Sequence, residues 1–77
     1  LIKIIINTIS IFMNTGKVKW FNTQKGYGFI VYDSNKEIFV HFKDVAGGID
    51  GIKENDNVEF DTAEGRKGLQ AVNVKKI

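Results

Sequence analysis

Seventy-seven residues allow one small domain, because a chain this short buries only roughly 60% of its unfolded surface and cannot divide a core between two modules. Eleven basic and nine acidic residues leave a formal charge of +2, which excludes a histone-like basic tail and a heavily charged disordered segment. Cysteine is absent and His41 is the single histidine, so disulfides and thiolate chemistry are excluded, a structural zinc site, which would need at least two carboxylates beside His41, is not expected, and a reducing, cytoplasmic setting is the simplest one.

The first twelve residues, Leu1 to Phe12, are dominated by Ile and contain no acid or glycine. Interrupted by Lys3, Asn7, Thr8 and Ser10, they are far short of the about 20 apolar residues that span a bilayer, and they lack a clean signal-peptide pattern. Residues 1–12 read as an extension outside the fold, with Met13 as the natural start and 13–77 as the domain. A further strand added to a sheet edge is the competing reading, since Ile and Thr favour extended backbone.

From Gly16 to Asn22 lysines alternate with apolar residues and then give way to adjacent Trp20 and Phe21. Alternation predicts a half-buried strand, and the aromatic pair suggests a bulge. After the turn Thr23 to Gly26, the run Tyr27 to Tyr32 predicts a strand with Tyr27, Phe29 and Val31 on one face and Gly28, Ile30 and Tyr32 on the other. A polar turn, Asp33 to Lys36, leads to Glu37–Phe42, where Phe39 and His41 oppose Ile38 and Val40. The connection Lys43 to Asn57 holds Gly47, Gly48 and Gly51 and has no regular period. Asn57–Thr62 alternates cleanly, Glu64–Gly68 reads as a loop, and Leu69–Lys75 closes the chain with Val72 and Val74 on one face.

No window sustains a helical period, so the prediction is all-β, with five short strands. A flat sheet of that size would leave edges and an apolar face exposed, whereas closure into a small antiparallel barrel removes both. Val18, Ile30, Ile38, Val40, Val58, Phe60, Val72 and Val74 supply the core. Tyr27, Phe29, Phe39 and His41 are left on the opposite face of two neighbouring strands, flanked by Lys19 and Lys25. Rings stack on bases whatever their identity and lysines neutralise phosphates, so this pairing suits single-stranded nucleic acid. Charge placement agrees: residues 13–31 carry Lys17, Lys19 and Lys25 and no acid, while all nine acids fall within 32–64.

The run Lys25-Gly26-Tyr27-Gly28-Phe29-Ile30-Val31-Tyr32 is similar to the ribonucleoprotein motif. Only 24 residues precede it and none reads as a helix, which argues against the RNA-recognition-motif fold. With Gly16-Lys17-Val18-Lys19-Trp20-Phe21-Asn22 before it, and Ile38-Phe39-Val40-His41-Phe42 and Gly68-Leu69-Gln70-Ala71-Val72-Asn73-Val74 after it, the sequence resembles a bacterial cold-shock protein from Met13 to Ile77.

That resemblance implies an OB-like five-stranded barrel, without cofactor or metal, that binds single-stranded RNA and DNA with low sequence specificity and a leaning to pyrimidines. It implies an RNA chaperone, cytoplasmic and monomeric, away from the membrane. It further implies base contacts from Trp20, Phe21, Tyr27, Phe29, Phe39, His41 and Phe42, and backbone contacts from Lys19, Lys25 and Lys67. Strand parity selects four of these rings independently and sends Phe42 inward. The chain departs from the family pattern in three places: no aromatic lies between Ala46 and Gly51, Lys67 and Leu69 stand where Arg and Pro are usual, and Tyr27 replaces Phe. Catalysis is not expected, since there is no Cys, a single His and no suitably paired carboxylates. A barrel that offers the same aromatic face to another protein is the alternative.

Overall fold

The computed structural model describes residues 13–66 and 68–77; the expected extension, 1–12, and Lys67 lie outside the described residues. Five strands, β1 (Asn14–Asn22), β2 (Tyr27–Tyr32), β3 (Lys36–His41), β4 (Asn57–Gly65) and β5 (Gly68–Lys76), close into a barrel in the order β1-β2-β3-β5-β4. Four seams are antiparallel. The seam between β3 and β5 is parallel, through Phe39 opposite Gln70 and Val40 opposite Ala71. Here the structure adds a feature that strand patterning leaves open, because direction at a closing seam follows from how the chain crosses the barrel between β3 and β5.

The turn from β1 to β2 is made by residues suited to it. Asn22 ends β1 and its Oδ1 accepts from the backbone N–H groups of Gln24 at 2.9 Å and Lys25 at 2.8 Å, a side-chain imitation of a backbone turn. Gly26 then takes φ 79°. β4 ends at Gly65 and β5 begins at Gly68, so the ends of the expected loop Glu64–Gly68 already belong to the strands, with Gly65 paired opposite Gly68.

The core contains Val18, Ile30, Ile38, Val40, Val58, Phe60 and Val74 as expected. Val72 is not among them; Ala71 takes the inward place. The cause is a register shift on this seam, where Glu59 faces Lys75 but Asp61 faces Val72, and where Asn73 adopts a left-handed φ of 53°. One extra residue between Val72 and Val74 resets the parity of everything before it. The long connection also enters the core, through Val45 and Ile52. Two short 3-10 turns, Phe42–Asp44 and Gly48–Asp50, carry that segment across the barrel end, and Ala46 N–H donates to Val74 O at 2.8 Å. Among the described residues no polar side chain is buried.

Among the described residues Phe60 is the one phenylalanine with no exposure, and Tyr32 meets its ring edge-on at 5.3 Å. Phe60→Ala should cost about 3 to 5 kcal/mol, comparable to the whole stability of so small a domain, so urea unfolding should find this variant largely unfolded at 25 °C. Every strand among the described residues lies within 14–76; a chain beginning at Met13 is expected to unfold cooperatively, within about 1 kcal/mol of the full chain. Non-cooperative unfolding of the shortened chain would place residues 1–12 in the fold.

Candidate nucleic-acid interface

Val18 is fully buried, and strict alternation would therefore send Trp20 into the core. The pairing of β1 with β2 shifts between these two residues: Val18 faces Ile30, Trp20 faces Phe29, and Lys19 is the extra residue. The bulge falls one position before the aromatic pair and turns the indole outward, where Trp20 is 36% exposed. Across the sheet this creates a continuous row, with Trp20 on β1 opposite Phe29 on β2, Phe29 opposite Phe39 on β3, and Phe39 opposite Gln70 on β5. The next row places Asn22, Tyr27 and His41 side by side.

Four rings of these rows form a closed circuit. Trp20 lies 5.5 Å from Phe29 and 5.8 Å from Tyr27, while Phe39 lies 5.8 Å from Phe29 and 5.7 Å from Tyr27. Every contact is tilted or edge-on, with interplanar angles from 30° to 76°. Such arrangements satisfy the ring quadrupoles without consuming both faces of each ring. Tyr27, Phe29 and Phe39 remain half-buried, supported from below by the core and open on the outer side of the barrel.

His41 continues the surface from Tyr27. Its Nδ1 accepts from the backbone N–H of Lys43 at 3.2 Å, which leaves Nε2 as the free N–H donor of the neutral ring. Phe42 stacks on it, with centroids 4.7 Å apart and 34° between planes. The ring of Phe42 lies over Gly26, where a Cβ would come within 2.7 Å of its Cδ1, and its N–H donates to Gly26 O at 2.9 Å. The strand has ended at His41, so parity no longer governs Phe42 and it extends the aromatic surface.

Phe21 is placed differently. It faces Gly28 across the β1–β2 seam, packs against the core, and would be met at 2.8 Å by a Cβ on Gly28. The structure therefore brings Trp20, Tyr27, Phe29, Phe39, His41 and Phe42 together and sets Phe21 on the reverse side of β1 from Trp20.

The expected cations differ as well. Lys19 reaches across β2 to Glu37, Nζ to Oε2 at 2.9 Å. Lys25 makes no ion pair among the described residues, nor do Lys43 and Arg66, which local sequence reading passed over. Also missed was a groove of about 470 Å³ beside the rings, lined by Phe29, Phe39, Glu37, Arg66, Leu69 and Gln70. Its residues come from β2, β3 and the β4–β5 hairpin, and only the register of β5 against β3 assembles them. A wider open hollow of about 670 Å³ on another part of the barrel, near Thr15, Lys17 and Ser34, offers a single ring, Tyr32, already packed on Phe60. The described residues contain no group of three metal-ligating side chains and no helix long and apolar enough to cross a membrane.

The sequence model of the 'Cold-shock' DNA-binding domain matches residues 14–77. The chain belongs to this family. Over 67 residues it is 54% identical to the major cold shock protein of Micrococcus luteus, an alignment that covers 84% of this chain and all of that protein. Cold shock protein CspB of Geobacillus stearothermophilus is 46% identical over 66 residues, with the same coverage. Among solved structures, the Drosophila Unr chain CSD456 superposes with a TM-score of 0.71 at 26% identity, covering 91% of this chain and 30% of that longer one. The cold-shock domain binds nucleic acid, and the fold expected from the resemblance, an OB-like five-stranded barrel, is the one observed.

Separating platform from core gives a direct test. Tyr27→Ala, Phe29→Ala and Phe39→Ala should each weaken binding of a single-stranded oligonucleotide by about 1 to 3 kcal/mol, while denaturant unfolding shows each losing less stability than Phe60→Ala. A Phe29→Ala variant as unfolded as Phe60→Ala, with normal binding by the Tyr27 and Phe39 variants, would remove the stacking role.

Proposed function

We propose that this cold-shock domain binds single-stranded RNA and DNA and acts as an RNA chaperone, by binding and without catalysis. The observation that carries this reading is the four-ring circuit Trp20, Tyr27, Phe39 and Phe29 spread over three strands on the outside of the barrel. Stacking on such rings requires unpaired bases, whose π faces a duplex keeps covered. Binding the open form alone then pulls a hairpin toward its unfolded state by mass action.

In this reading Trp20, Tyr27, Phe29, Phe39 and His41 take successive bases, Phe42 lengthens the surface, and Phe21 supports β1 from behind. Lys19, Lys25 and Lys67 contact phosphates. Selectivity is low, since stacking is indifferent to base edges, with the leaning to pyrimidines that the family resemblance implies. The protein works as a monomer in the cytoplasm.

Trp20 is the sole tryptophan and reports directly on its own site. Titration with single-stranded oligonucleotides should perturb its fluorescence, and the matching duplex should compete poorly. With about three phosphates neutralised, the logarithm of the affinity should fall by about 2 per decade of salt. A salt slope near zero would mean that stacking does nearly everything; failure of single-stranded oligonucleotides to bind would favour the reading in which this face meets another protein.

A further inference from the structure

The ring circuit distinguishes bases poorly, because every base has a π face; the polar groups at its margin are more selective. In the groove beside Phe29 and Phe39, Glu37 presents a carboxylate of which Lys19 engages Oε2 alone. A carboxylate has about four acceptor positions, and the Glu37 side chain is 45% exposed, so Oε1 remains open to a ligand. Arg66 lines the same groove without an ion pair among the described residues. Gln70 donates its amide Nε2 to Asp44 Oδ2 at 3.1 Å, which leaves its carbonyl oxygen as a further acceptor.

Bases meet such a rim differently. Uracil and thymine offer one N–H between two carbonyl oxygens, so a carboxylate gains one hydrogen bond and faces two repelling oxygens. Cytosine and adenine set an amino group beside an acceptor nitrogen. Guanine alone offers two adjacent donors, N1–H and the 2-amino group, to the two oxygens of a carboxylate, and its other edge carries the O6 and N7 pair that arginine takes bidentately. We propose that this groove is a guanine subsite, in which a base stacked on Phe29 or Phe39 is read by Glu37 on its Watson–Crick edge and by Arg66 on O6 and N7. The proposal rests on the stacking reading above and adds one selective position to an otherwise tolerant surface.

The full chain is titrated, through Trp20 fluorescence, with heptathymidylate and with heptamers in which a single guanine is moved along the thymidine strand. One register should bind roughly tenfold tighter than heptathymidylate, and hypoxanthine in that register, which lacks only the 2-amino group, should lose most of the gain. In Glu37→Gln the guanine advantage should collapse while affinity for heptathymidylate rises, because removing the carboxylate leaves the Lys19 charge wholly to its phosphate. Movement in opposite directions separates this role from damage to the fold, which lowers both affinities. Arg66→Ala should reduce the advantage, and 7-deazaguanine should cause no further loss in that variant. Heptathymidylate binding with no guanine advantage in any register, or an advantage that survives Glu37→Gln, overturns the subsite and leaves the stacking reading intact. If no strand binds, the stacking reading falls and the subsite with it.

Discussion

A β-strand buries alternate residues, yet β1 has to bury Val18 and present Trp20, two positions later, to the other side. The extra residue at Lys19 resolves this conflict, and the aromatic surface depends on it. Without the bulge the indole would compete with Ile30 and Phe60 for the centre of the barrel, and the row through Phe29 and Phe39 would lack its first member. Bulges commonly re-aim a side chain beside a binding site; this one also carries a cation at its apex, so the lysine that pairs with Glu37 and the tryptophan that meets Phe29 are placed by one backbone irregularity.

The remaining architecture supplies support for rings that are not themselves core. Aliphatic side chains and Phe60 fill the interior, which leaves Trp20, Tyr27, Phe29 and Phe39 to pack against one another on the outside. Half-burial from beneath stabilises the rings in position, and the edge-on contacts hold them apart, so little ordering remains to be done when a ligand arrives. Two glycines admit aromatic rings by close approach: Gly28 lets Phe21 lie against the back of β2, and Gly26, at positive φ, lets Phe42 lie over the turn. Both join a ring to backbone where a methyl group would collide.

Electrostatics on this face is less uniform than the lysine pattern suggests. The acids that follow Tyr32 in sequence return, through Glu37, to the edge of the rings. An exposed ion pair such as Lys19–Glu37 contributes little to stability in water. In the proposed reading its effect is on the ligand: it holds a cation beside the platform, and it keeps one carboxylate within reach of base edges where a purely cationic surface would have none.

Strand content, most of the core and the ring cluster were legible in the sequence, because each rests on local alternation. Val18, Ile30, Ile38, Val40, Val58 and Phe60 sit on the inward parity of short strands, and Tyr27, Phe29, Phe39 and His41 on the outward one. Those positions follow from the two-residue period of extended backbone, and four ordered motif blocks identified the family. What the tertiary structure decided is where that period breaks and which strands become neighbours. The residue inserted at Lys19 turned Trp20 outward and separated it from Phe21, the left-handed Asn73 exchanged Val72 for Ala71 in the core, and the end of β3 at His41 released Phe42 from parity. The parallel seam set Gln70 beside Phe39 and brought Arg66 and Leu69 to the rim of the same groove as Glu37. Register between strands distant in sequence is fixed by closure of the whole barrel around its core, and no local pattern encodes it.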